Sequence, residues 1–120
     1  MTNTKNKTLT GLFSLDHNVR IYIPSTVNVN KKANTAKLID KGLTKFSGYF
    51  GGATSYKAIG AWQSKDAGLV KEKITIVEAY ATSEQIEKHI DKVIAFCEFI
   101  KKSLKQEAVS LEYDNKLYFI

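Results

Sequence analysis

A chain of 120 residues with 43% hydrophobic and 25% charged residues is sized for one domain that buries its own core without disulfides or metals. Its lone cysteine, Cys97, excludes an internal disulfide and a zinc site built on several thiolates, and no apolar run reaches the roughly 18 residues a membrane helix needs. The net charge of +6 is uneven: residues 1–73 carry 12 Lys/Arg against 4 Asp/Glu, a net of +8, and residues 74–120 carry 6 against 8, a net of −2.

Residues 1–8 are crowded with Thr, Asn and Lys and read as a flexible tail with no secretory block, so one domain over residues 9–120 in a reducing cytoplasm is expected. Leu9 to Leu15 is a candidate short strand before the Asp16-His17-Asn18 turn signal. Val19 to Ile23 alternates with period two and is rich in β-branched residues, which predicts a strand that Pro24 ends. Asn28 to Asn34 reads as a polar loop. A helix is predicted over about Thr35 to Ser47, because Ile39, Leu43, Phe46 and Phe50 repeat on one face.

Gly51 suits a helix C-cap, and Gly52 lets the chain reverse into a second strand, Ala53 to Gln63. A turn at Ser64 to Gly68 leads to a third strand, Leu69 to Tyr80. Thr82 and Gln85 have the form of a capping box, and Ile86, Ile90, Val93, Cys97, Ile100 and Leu104 form an apolar stripe for a second long helix. Val109 to Tyr113 is a fourth strand. Leu117 to Ile120 either extends it or returns as an edge. The order β-α-β-β-α-β predicts an α+β, ferredoxin-like plait: a four-stranded antiparallel sheet with both helices on one face and the other face open.

Four of the seven glycines, the only tryptophan and Glu72 fall within residues 50–72, so this stretch is either a site or a demanding bend. Val70, Glu72, Ile74, Ile76 and Glu78 share one strand face. A carboxylate among apolar neighbours requires a partner, for which Arg20, Tyr22, Lys57 and the Trp62 indole are candidates. The candidate ligand-binding set is Tyr22, Ser25, Thr26, Thr54, Trp62 and Glu72: aromatic stacking surface, hydroxyl donors and an orienting carboxylate. Glu72 is also the candidate acid/base if the protein is an enzyme. Lys31, Lys32, Lys37, Lys41 and Lys45 form an alternative nucleic-acid face, although Arg20 is the only arginine for bidentate recognition.

The glycine pair follows a helix and precedes a strand, the reverse of a phosphate loop. His17 and His89, the only histidines, show no metal spacing, argue for no Ser/His/Asp triad and are expected on the surface. Cys97 is expected in the core. No catalytic residue, metal or cofactor is assigned.

Phe50-Gly51-Gly52-Ala53-Thr54, Gly60-Ala61-Trp62 and Gly68 with Glu72, ahead of Ile74-Thr75-Ile76-Val77, resemble an F-x-G-x-T … G-x-W … G-x-x-x-E pattern in a family of small uncharacterised bacterial and phage domains. The resemblance covers about residues 46–80. It implies the plait fold and no particular activity. The expected function is a non-enzymatic, homodimeric binding module of phage or mobile-element origin. It would act on a defence complex, another protein partner, or an anionic small molecule such as a nucleotide. The alternatives are a nucleic-acid binder and a small enzyme.

Overall fold

The computed structural model describes residues 7–27 and 31–120. Along the chain lie α1 (Lys7–Thr10), β1 (His17–Pro24), β2 (Thr26–Val27), β3 (Lys31–Lys32), α2 (Ala36–Phe50), β4 (Thr54–Ser64), β5 (Gly68–Ala81), α3 (Ser83–Ser103), β6 (Ser110–Tyr113) and β7 (Lys116–Phe119). Five strands form one antiparallel sheet in the order β4-β5-β1-β6-β7, and β2 pairs with β3 apart from it. The mixed α+β class is as expected, and the terminal segment adds a fifth strand.

Alternation along β1 decides the layers. Val19, Ile21 and Ile23 point to one face and are fully buried, as are Val77 and Ala81 on β5. Phe46 and Phe50 of α2 and Ile86, Val93, Phe96, Cys97 and Ile100 of α3 close over that face. Burying each such side chain stabilises the fold by about 2 kcal/mol.

Local signals explain the boundaries. Thr82 caps α3, with the Gln85 N–H donating to its hydroxyl at 3.2 Å and the Thr82 N–H donating to the Gln85 side chain at 2.9 Å. Helix α2 runs to Phe50 because Phe50 still packs in the core, and Gly51 ends it in the left-handed region at φ 90°. Asp114 and Asn115, at φ 46° and 70°, turn β6 into β7.

Three expectations change. Leu9–Leu15 is not a strand: Lys7–Thr10 is a helical turn, and Leu9, Leu12 and Phe13 stay exposed with no ladder to join. Residues 1–6 of the expected tail lie outside the described residues, and Lys7 and Thr8 belong to α1. Of the loop 28–34, Lys31 and Lys32 pair with Val27 and Thr26, while residues 28–30 lie outside the described residues. None of the helices is long and apolar enough to cross a membrane among the described residues.

The β4–β5 hairpin is longer than the other strands and projects beyond the helices, which contributes to a shape of 52 × 30 × 20 Å. Its far half exposes Ile59, Trp62 and Leu69.

Candidate functional site

Among the described residues nothing packs over the sheet face opposite α2 and α3, and register fixes what stands on it. Arg20 is opposite Glu78 of β5 and opposite Glu112 of β6. Its Nε donates to Glu78 Oε2 at 2.8 Å and its Nη1 to Glu112 Oε2 at 2.9 Å. Asn18, two residues away and therefore on the same face, donates to Glu78 Oε2 at 2.9 Å. Tyr22 donates its hydroxyl proton to Glu112 Oε1 at 2.9 Å. Tyr56, on β4, stands on the same face near enough to Glu78 for its phenol to feel that charge. One arginine, two carboxylates, a phenol and an amide thus form one hydrogen-bonded network across three strands, with Tyr56 of β4 beside it.

Electrostatics follow from that packing. Burial alone raises the Glu78 carboxyl, but hydrogen bonds from Asn18 and Arg20 outweigh it and hold the group below the ordinary carboxylate range. Arg20 is held above its ordinary value, first by its bond to Glu78. Burial, followed by the bond to Glu112, pushes the Tyr22 phenol up. Tyr56 is raised by burial and by the charge on Glu78. Both phenols therefore remain protonated donors at neutral pH.

The six candidate ligand residues do not converge on one point. Tyr22, Trp62 and Glu72 share an open-face depression of about 530 Å³, with Pro24, Ile74 and Phe119. Thr54 lines a depression of about 490 Å³ with Gly51, Gly52, Glu78 and Tyr80, at the other end of the network. Ser25 lies between β1 and β2, in a groove shared with the start of α2, Lys57 and Lys73. Thr26 is in β2, where its carbonyl accepts from Gln106 Nε2 at 3.0 Å.

Glu72 does not take the partner expected of it. It sits opposite Gly60 on the projecting hairpin and is exposed, and no described side chain bonds it. Water reaches it because it stands on the sheet face away from the helices and Gly60 opposite offers no side chain to cover it. The carboxylates that take partners are Glu78 and Glu112, which meet at Arg20 only through the sheet register. Period-two alternation on β5 places Glu78 on the same face as Glu72, while Glu112 lies 34 residues beyond Glu78, outside the reach of short-range spacing.

Among the lysines, Lys31 and Lys32 belong to the small β2–β3 ladder and are exposed. Lys37, Lys41 and Lys45 lie along α2. Lys41 Nζ sits 4.8 Å from the centre of the Phe99 ring and Lys45 Nζ 5.7 Å from that of Phe96. With Lys92 and Tyr49 they border a groove of about 350 Å³ between the two long helices. His89 is less open than expected: it stacks on Tyr49 at 4.7 Å, and its Nδ1 is buried without a partner among the described residues. His17 is half-buried against Tyr113. Among the described residues, no group of three His, Cys, Asp or Glu side chains could hold a metal ion.

No protein-family profile and no curated protein sequence matches the chain. Two solved structures share its fold. One is a phage SAM lyase in complex with S-methyl-5'-thioadenosine, with 19% identity over 87% of this chain and 88% of that chain and a TM-score of 0.62. The other is a phage SAM lyase in the apo state, with 19% identity over 87% of each chain and a TM-score of 0.63.

Proposed function

We propose that the open sheet face binds an S-adenosyl sulfonium compound and that the protein is a phage-type lyase of S-adenosylmethionine. What carries this reading is the Arg20–Glu78–Glu112 network with Tyr22 and Tyr56, on a fold shared along nearly its whole length with a protein that holds S-methyl-5'-thioadenosine. The chemistry of the face suits such a ligand. A sulfonium centre is cationic and is attracted to carboxylates and to the faces of aromatic rings. Trp62, Tyr56 and Tyr80 offer exposed ring surface for a flat base.

As the substrate's own carboxylate oxygen attacks the carbon that bears the sulfonium, the carbon–sulfur bond breaks, sulfur keeps the electron pair and leaves as a neutral thioether, and the amino-acid fragment closes as a lactone. That departure needs no general acid, which fits a site whose acidic groups are ionised or hydrogen-bonded. The acidity of the face also favours a cationic ligand over the anionic one expected from overall charge.

We read the fold as a ferredoxin-like plait extended by β7. We also take a second copy of the chain as the cover for its exposed apolar side chains, among which Trp62 is 50% and Phe119 72% exposed. The resemblance over residues 46–80 to small bacterial and phage domains supports a phage or mobile-element accessory protein, and action against a defence complex is part of this reading.

Incubation with S-adenosylmethionine, followed by chromatography and by calorimetric titration, tests the reading. Release of 5'-methylthioadenosine that Glu112→Gln lowers at least about a hundredfold supports the lyase. Binding without release supports the non-enzymatic module. Neither binding nor release rejects the site. A second reading, nucleic-acid binding, rests on the groove where Lys41, Lys45 and Lys92 lie over aromatic rings. It predicts binding to an oligonucleotide that weakens steeply with salt.

A further inference from the structure

On the helix side of the sheet, away from the open face, three distant segments meet at one edge. His17 opens β1, Ser83 opens α3, and Asp114 lies in the β6–β7 turn. Asp114 Oδ2 is 2.7 Å from His17 Nδ1, and His17 Nε2 is 2.8 Å from Ser83 Oγ. The other Asp114 oxygen accepts the backbone N–H of Asn18 at 2.9 Å, which fixes the carboxylate in place. Tyr113 lies alongside the imidazole with ring centres 5.8 Å apart, and its hydroxyl is a second neighbour of Nδ1 at 3.2 Å.

The hydrogen-bond roles follow from this arrangement. Burial raises the Asp114 carboxyl, but the Asn18 and His17 bonds outweigh it and keep the group ionised at neutral pH, so it can only accept. His17 Nδ1 must therefore carry the proton. In the neutral imidazole Nε2 is then the lone-pair acceptor, to which the Ser83 hydroxyl at 2.8 Å can donate. An acid, a base and a hydroxyl in this order and at these distances form the arrangement that activates a serine nucleophile.

The surroundings supply the remaining parts. Ser83 is exposed and is the first residue of a 21-residue helix. The capping box uses the N–H groups of Thr82 and Gln85, and the Ile86 N–H donates to the Thr82 carbonyl. The N–H groups of Ser83 and Glu84 are left facing out of the helix start, where an oxyanion on an attacked carbonyl would sit. Thr82 and Glu84, the neighbours of Ser83, line a depression of about 360 Å³ whose wall includes the stacked Tyr49 and His89 rings.

We propose that Ser83, His17 and Asp114 form a second reactive centre, a serine nucleophile that takes an acyl group from activated carboxylic esters. Ser83 Oγ attacks the carbonyl carbon as its proton passes to His17 Nε2. The tetrahedral oxyanion then collapses and expels the alkoxide, which takes that proton and leaves as the alcohol. Water, deprotonated by His17, next attacks the acyl-serine. The acid is released and the proton returns to Ser83, so that ester and water give acid and alcohol. Asp114 is a positioning residue that fixes the imidazole tautomer.

Fluorophosphonate labelling of the whole chain, read by intact mass and peptide mapping, tests the proposal. The expected result is one adduct, on Ser83, that is absent from Ser83→Ala and from heat-unfolded protein. Ser83→Ala removes only an exposed hydroxyl, so it keeps the fold. Asp114→Asn is expected to slow labelling roughly a hundredfold or more while circular dichroism is unchanged, because the amide no longer enforces the Nδ1–H tautomer. No adduct on the folded protein, or equal labelling of Ser83→Ala, would overturn it.

Discussion

Arg20 on β1 and Glu78 on β5 are directly paired across the sheet, with Nε donating to Oε2 at 2.8 Å. Because β1 is central, the same guanidinium is also opposite Glu112, so one residue closes both sides of the network.

Removing the arginine should therefore leave two partly buried carboxylates without their cation. Arg20→Met is expected to cost about 2 kcal/mol in urea unfolding. Combining it with Glu78→Leu should recover part of that loss, since the double change removes an orphaned charge. Equal and additive losses would show that the pair does not act as a unit.

Gly42 lies in α2 against the core, where an added Cβ would meet Phe96 Cε2 at 3.3 Å and Val77 Cγ2 at 3.5 Å. Gly42→Leu must displace those groups and should lower stability by roughly 1–3 kcal/mol. An unchanged melting temperature would show that the helix–sheet spacing adjusts freely.

Acid should weaken the fold through Glu78 and Asp114. Both carboxyls sit below their ordinary values when folded, so the unfolded chain binds more protons in that window. Their contribution is complete above the unfolded carboxyl range, near about pH 4, and is lost as pH falls through the folded values. Melting curves from pH 6 down to pH 2 should show a decline that Glu78→Gln makes shallower.

Cys97 is fully buried, and burial pushes its thiol up to about 12. It should resist a thiol reagent in the folded protein and react at once in denaturant. The slow rate in native buffer then reports opening of α3 from the sheet. Prompt labelling without denaturant would contradict this packing.

The element order could be read from local patterns because each rests on neighbours in the chain. The Thr82–Gln85 box and the Ile86-to-Leu104 stripe set α3, Gly51 ends α2, and period-two alternation marks β1 and β5. The same patterns misread Leu9–Leu15, whose apolar residues imply a partner strand that the fold does not provide. They also singled out Glu72, because a run of residues shows which side chains share a face but not whether that face is covered.

By itself the sequence determined the strand and helix periods, the caps, the apolar face of each element and the burial of Cys97, since all of these depend on spacings of a few residues. Only the tertiary structure decided that Arg20 meets Glu78 and Glu112, and that Ser83, His17 and Asp114 touch. Those contacts join residues dozens of positions apart, and the pairing register of a sheet, which short-range spacing does not encode, is what brings them within hydrogen-bond distance.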